Sequence, residues 1–266
     1  MEIEIRSLTT VEELQQIMDV EKEIWNFPPI PIHQTLTVAK NGGIILGAFV
    51  EEKMIGFLYS FPGFNGKSIY LCSHMLGILP PYQKQGIGAK LKRKQAELAK
   101  QFGYQFITWT FDPLESKNAY FNLHKLGAKG AHYEENYYGY LQDKLNKGLP
   151  TDRMIIEWDV RTESVKPEVE IKERSFLLLK DEKLYPQITE QFEVLDTNPQ
   201  NYWFVTIPND FQQIKKTNID LAHTWRLETR KVFQKLFSLD YVATDLITNE
   251  ENGVCYYIFT KRGGFM

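Results

Sequence analysis

The stretch Tyr70 to Leu98, YLCSHMLGILPPYQKQGIGAKLKRKQAEL, carries the reading on which the fold turns. Tyr70 to Leu79 is apolar and suits a strand buried on both faces, and Pro80-Pro81 ends it because proline has no N–H to give a ladder. Gln83, Gly86 and Gly88 follow in a Gln-x-x-Gly-x-Gly spacing. Leu91, Gln95 and Leu98 then recur at helical intervals, so a helix starts near Gly86.

A helix start presents unpaired backbone N–H groups and the positive end of a macrodipole, and so attracts an anion. Glycines at 86 and 88 remove the Cβ atoms that would hold that anion off. Lys84, Lys90 and Lys92 add positive charge around the turn and favour a ligand with more than one phosphate, a pyrophosphate in particular. A Walker loop needs Gly-x4-Gly-Lys-Ser/Thr, which is missing, and a dinucleotide fingerprint needs a glycine where position 91 is Leu. Downstream, Phe106 to Phe111 (FITWTF) is a short β-branched and aromatic run. In ESKNAYFNLHKLGA, Ala119, Leu123 and Leu126 share a helical face before a Gly127 stop.

That order of strand, glycine turn, helix, strand, Asn-Ala helix and Leu-Gly resembles the acyl-CoA-binding core of the GNAT family, the GCN5-related N-acetyltransferases. The likeness is specific over Tyr70 to Ala128 and extends from the N-terminus to about Val160. It implies a mixed α/β fold with a mostly antiparallel central sheet flanked by helices. It also implies an acyl-CoA co-substrate, most simply acetyl-CoA, with the pyrophosphate on Gln83, Lys84, Gln85, Gly86, Ile87 and Gly88. The pantetheine arm would lie along Leu76, Gly77 and Ile78, and Asn118 would orient in the coenzyme groove or cap its helix. Gly77 suits that role, since a glycine within a strand suggests a bulge or a close backbone approach.

The N-terminal part agrees with this order. Ile3 and Ile5 alternate with charged residues as in a strand, and Thr10 with Glu13 makes a capping box for a helix through Leu14, Ile17, Val20 and Ile24. Phe27-Pro28-Pro29-Ile30-Pro31 reads as a stiff linker, which in GNAT enzymes often walls the acceptor pocket. Gly43–Val50 and Met54–Phe61 form a hairpin about Glu51-Glu52-Lys53, and the loop Pro62–Lys67 leads to the central strand. AKGAHYEENYYG and DRMIIEWDV form a closing hairpin with a long polar connection from Tyr140 to Pro150.

Composition turns polar from Arg161 to Glu168, which divides the chain into an acyl-CoA-binding catalytic domain over 1–163 and a smaller α/β extension over 164–266. The extension holds a strand at YWFVTI, a helix from Asn218 to Leu239, and strands YVATDLIT and CYYIFT around Asn252-Gly253. Its IPNDF and WRLETR segments resemble a branch of GNAT proteins with a C-terminal extension. Such an extension can complete the acceptor site or join two copies, so a homodimer is among the expectations.

The 266 residues are 43% hydrophobic and 24% charged, ordinary for globular chains, and a net charge of −3 gives no general attraction to nucleic acid or anionic lipid. Cys72 and Cys255 lie apart in apolar runs, against a disulfide framework or a cysteine metal site; a cytoplasmic protein without a metal is expected. No run approaches the roughly 18 apolar residues of a membrane span.

Acyl transfer from a thioester to an amine needs a held carbonyl, a donor for its developing oxyanion and a route for the amine's proton. His74, on the central strand, is the candidate base, with Cys72 on its face by alternation; a core histidine bonded to backbone is the competing reading. In many GNAT enzymes a tyrosine on the last core helix protonates the leaving thiolate, but the matching residue here is Leu123. Tyr137 is taken as the candidate acid, with Tyr120, Tyr133 and Tyr138 nearby. Arg153, Arg226 and Arg230 are candidates for acceptor recognition; Arg226 and Arg230 lie four apart on one helix face, where two guanidinium groups suit a carboxylate and an ordinary salt-bridged face is the alternative. The leading expectation is acylation of a small-molecule amine. Amino-acid N-succinyl transfer, a GNAT-shaped acyl-CoA sensor without turnover and a protein-interaction scaffold are the competing classes.

Overall fold

The computed structural model describes residues 2–25, 28–139, 148–163, 165–166 and 168–263. Phe27 of the proline linker, most of the connection after Tyr140, and Ser164 and Pro167 in the polar boundary lie outside the described residues. The chain forms two compact units, Met1–Trp109 with Trp158–Thr162, and Thr110–Glu157 with Glu163–Met266.

The first unit contains β1 (Glu4–Ser7), α1 (Val11–Trp25), α2 (Ile32–Lys40), β2 (Ile44–Val50), β3 (Lys53–Phe64), β4 (Ile69–Ile78), α3 (Ile87–Gln101) and β5 (Phe106–Phe111), the last two residues of which belong to the second unit. Its strands lie in the order β1-β2-β3-β4-β5. All pairings are antiparallel except β4 with β5. α1 starts on the expected capping box: the Glu13 N–H donates to Thr10 Oγ1 at 3.3 Å and the Thr10 N–H donates to Glu13 Oε2 at 3.2 Å. Its Leu14, Ile17 and Val20 pack with Phe49, Phe57 and Tyr59 in one apolar cluster, each such side chain contributing about 1.5–3 kcal/mol on burial. The segment after the prolines is helical rather than only a linker: α2 starts directly after Pro31, whose fixed φ suits a helix entry.

The second unit begins with a short α4 (Ser116–Ala119), which continues as a π-helical turn over Tyr120–Lys125. It then holds β6 (Lys129–Glu134), β7 (Arg153–Asp159, of which Trp158 and Asp159 fall in the first unit), β8 (Phe176–Lys180), β9 (Pro186–Ile188), α5 (Glu190–Glu193), β10 (Tyr202–Pro208), α6 (Phe211–Thr217), α7 (Ile219–Ser238), β11 (Tyr241–Asn249) and β12 (Val254–Lys261). Strand order is β7-β6-β11-β12-β10-β8-β9. The expected β6–β7 and β11–β12 hairpins both form; β8, β9, α5 and α6 complete the part that pattern alone left blank. Asp210 caps α6 by accepting from the Gln213 N–H at 3.0 Å, and Asn218 caps α7 from the Leu221 N–H at 3.0 Å. The buried face of α7 sets Phe233 against Tyr257 and Phe259, each with ring centroids 5.3 Å apart.

No helix among the described residues is long and apolar enough to cross a membrane.

Candidate active site

β4 ends at Ile78, one residue before Leu79, and a single turn over Pro80–Tyr82 carries the chain to Gln83. Lys84 and Gly86 then adopt positive φ, +63° and +77°, and α3 follows at Ile87. Gly86 stands at the helix N-cap in a left-handed conformation that glycine enters without a Cβ penalty, and it offers no side chain to satisfy the first N–H groups. Space around it is open: an added Cβ would meet nothing within 4 Å. Gln83 does not reach outward, since its Nε2 donates to Ile78 O at 2.9 Å and braces the turn against the strand end. Lys84, Gln85 and Lys90 are exposed around the turn, Ile87 is buried beneath it and Gly88 is half-buried.

Lys92 is not part of that positive rim. It is only 4% exposed; its Nζ donates to Ser73 Oγ at 2.8 Å and lies 3.6 Å from the centre of the Trp109 ring. Burial holds its pKa well below the ordinary lysine value.

Beside this turn, β4 pairs with β5 at only two positions, Leu71 with Ile107 and Cys72 with Thr108. From Ser73 to Ile78 the described partner is β3 alone. The strand therefore keeps an open edge over its last six residues, and it is half-buried there rather than enclosed on both faces. Because the Leu79 N–H bonds to Ile55 O on β3 at 2.9 Å, alternation turns the backbone groups of Ile78 and Leu76 to the open edge and those of Gly77 toward β3. Gly77 is small for another reason: a Cβ there would come within 2.8–3.0 Å of Ile24, Trp25 and Phe57, the packing of α1 on the sheet. The bulge lies at His74, where Tyr59 and Ser60 face Met75 and Ser73 and leave the histidine as the extra residue. That insertion interrupts the alternation expected to put Cys72 on the histidine's face.

His74 is exposed, so it is not a core histidine. Its ring packs 6.1 Å from Tyr59 and 5.7 Å from Phe61, and loss of water there lowers its pKa below the ordinary histidine value. A neutral imidazole on an exposed bulge can accept a proton.

In the second unit the expected residues have different surroundings. Asn118 is exposed inside α4, whose N-cap is Glu115, so it caps nothing. Tyr137 is 48% exposed on the turn after β6 and packs edge-on against Tyr138 at 4.6 Å. Leu123, at the position where the resemblance leads to the expectation of a tyrosine, is 1% exposed in the π-helical turn. Tyr133 donates its hydroxyl to Asp152 Oδ2 at 2.5 Å, and burial with the neighbouring carboxylate pushes its pKa well above the phenol value.

The three arginines expected to hold an acceptor carboxylate are engaged by carboxylates of the chain itself. Arg226, 1% exposed, donates from Nη2 to Asp112 Oδ2 at 2.5 Å. Burial pulls its pKa down, but the charge and hydrogen bond of Asp112 outweigh that and keep it above the ordinary arginine value. Arg230 grips Asp152 through Nε and Nη2, both at 2.9 Å, and reaches Glu135 Oε1 through Nη1 at 2.5 Å. Arg153 Nη1 donates to Asp152 O at 2.9 Å and lies 3.9 Å from Asp112 Oδ2. Only Arg226 Nε and Nη1 stay buried without a hydrogen-bond partner among these three side chains' described contacts. Among the described residues there is no group of three or more His, Cys, Asp or Glu able to hold a metal.

Residues 9–127 match the acetyltransferase (GNAT) family. That match covers less than half of the chain, which continues beyond it through the second unit's sheet and α7. Solved structures similar to it include the ribosomal-protein-S18-alanine N-acetyltransferase of Escherichia coli, 17% identical with a TM-score of 0.49 over 64% of this chain and 100% of that one. An N-acetyltransferase from Staphylococcus aureus is 20% identical with a TM-score of 0.48 over 60% and 99%. PaiA N-acetyltransferase from Thermoplasma acidophilum, solved with coenzyme A, is 20% identical with a TM-score of 0.43 over 60% and 99%. No curated protein matches the sequence.

Proposed function

We propose that the protein transfers an acyl group, acetyl in the simplest case, from acyl-CoA to the amine of a small molecule by direct attack. The observation that carries this reading is the uncapped start of α3 at a left-handed glycine, directly after a strand with an open edge. The N–H groups of that first turn, with Lys84 and Lys90 at the rim, suit a pyrophosphate, and the edge at Leu76 and Ile78 suits the amide-bearing arm attached to it. The amine nitrogen attacks the thioester carbonyl, the C–S bond breaks, and His74 takes the proton released from nitrogen. Tyr137 is assigned the return of a proton to the thiolate, although a thiol with a pKa of about 8.5 needs little help in leaving. The catalytic domain is assigned to residues 1–163 and the extension to 164–266, with the compartment read as cytoplasmic and a homodimer kept as one alternative for the assembly.

A second reading, amino-acid N-succinyl transfer, is favoured by the two unpartnered nitrogens of Arg226, which a carboxylate would satisfy. Thermal shift with acetyl-CoA, succinyl-CoA and free CoA, followed by thiol release against an amine panel, tests both. The primary reading requires stabilisation by acetyl-CoA and acceptor-dependent thiol. Binding without thiol above background for any amine means a sensor, and no binding at all overturns the acyl-CoA assignment.

A further inference from the structure

Two side chains at the root of the β4–β5 fork are left unused by the chemistry above. The strands pair last at Cys72 with Thr108, so Ser73 and Trp109 are the first residues past the point where they part. Lys92 reaches this point from α3, with Nζ 2.8 Å from Ser73 Oγ and 3.6 Å from the centre of the Trp109 ring. An arm that starts at the Gly86 turn and runs back along the open edge past Ile78 and Leu76 brings its far end, the thioester, toward this fork.

Three features separate the pair from an ordinary internal hydrogen bond. Ser73 and Lys92 are 6% and 4% exposed, and among the described residues no carboxylate pairs with the lysine. The ionisable neighbour that acts on it is the Cys72 thiol, which burial keeps protonated. A buried charge is stable only when it is paired, so this amine favours its neutral form, and the Trp109 face offsets only part of that loss. A neutral amine accepts a proton as well as it donates one, and the separation lies within the roughly 2.6–3.2 Å at which a base activates a hydroxyl. Gln95, three residues further along α3, is fully buried with both amide atoms unpartnered, and an amide so placed can hold a water.

We propose that Ser73 and Lys92 form a nucleophile–base dyad that gives the protein a second activity, hydrolysis of the bound acyl-CoA through an acyl-serine ester. Lys92 Nζ takes the hydroxyl proton as Ser73 Oγ attacks the thioester carbonyl. The C–O bond forms, the C–S bond breaks, and the proton passes from Lys92 to the departing thiolate. Water then attacks the ester and gives a proton to Lys92, the C–Oγ bond breaks, Ser73 regains its proton, and a carboxylic acid leaves. Backbone N–H groups on the open edge of β4 can receive the oxyanion that develops in both steps. The proposal rests on the acyl-CoA reading and needs no amine.

The test mixes the intact protein with acetyl-CoA in the absence of any amine. Thiol should appear faster than in protein-free buffer. Acid quenching should leave an acetyl adduct on the peptide holding Ser73, which hydroxylamine removes as it removes an ester and not an amide. Ser73→Ala and Lys92→Met should each lower this acceptor-free release about 100-fold, while a thermal shift with free CoA equal to that of the parent shows that the fold and the coenzyme site survive. Release that falls in both variants supports the dyad even where the ester turns over too fast to trap. No acceptor-free thiol and no adduct, release unchanged in Ser73→Ala, or an adduct that resists hydroxylamine each overturns it. Amine-dependent thiol beside any of those three results leaves the transferase reading standing, whereas no thermal shift with acetyl-CoA or free CoA overturns both.

Discussion

The turn before α3 and the arginine face of α7 are both cationic and both borne on helices, yet they treat their donors in opposite ways. At the turn, Gly86 caps without a side chain, and Lys84 and Lys90 stay exposed, so the donors remain available to a ligand. On α7, Arg226 and Arg230 face Asp112 and Asp152, and all three Arg230 nitrogens and the Arg226 Nη2 are bonded to carboxylates of the chain. Charge type alone does not make a binding site; what matters is whether the chain also supplies the counter-charge.

The largest expected effect breaks the internal pair. Arg226→Met leaves Asp112 beside a buried apolar side chain and should cost about 3–5 kcal/mol in urea unfolding, whereas Arg226→Met with Asp112→Leu should recover most of it. A single substitution that costs less than about 1 kcal/mol would show the pair to be no more than a surface contact. At the turn, Gly86→Val forces a β-branched residue to φ near +77° and should weaken acetyl-CoA binding about 100-fold, roughly 2.7 kcal/mol, by calorimetry. Affinity equal to that of the parent would separate the turn from the coenzyme. At the rim of the arginine network, Glu135→Gln should cost no more than about 1 kcal/mol, since that carboxylate is 49% exposed and its ion pair with Arg230 is screened.

The remaining expectation concerns pH. His74 works as a base only when neutral, and its lowered pKa keeps it neutral further into acid than an ordinary histidine. The acid limb of kcat/KM should therefore fall on the acidic side of the usual histidine range and disappear in His74→Gln. A limb unchanged by that substitution would assign the proton to another group.

Much of the first unit was legible because its signals are local. The Thr10–Glu13 box, the Glu51-Glu52 turn, the Pro80-Pro81 stop and the start of α3 at Ile87 each depend on residues a few positions apart. α2 was missed because its entry is written in prolines, which read first as a linker. The bulge at His74 was missed because β4 has no glycine or proline at that point, and the glycine that suggested one, Gly77, instead makes room for Trp25 and Ile24. The π-helical turn after Ala119 carries no composition signal at all.

By itself, the sequence determined that a strand ends, a glycine turn follows and a helix begins with its N–H groups free, because hydrogen-bond geometry and φ preferences act over three or four residues. Only the tertiary structure decided where the charges went. Lys92, one helical turn into α3, is buried against Ser73 and Trp109, and Arg226 meets Asp112 across 114 positions of chain. Whether a side chain is solvated, paired or left open depends on partners that chain distance conceals.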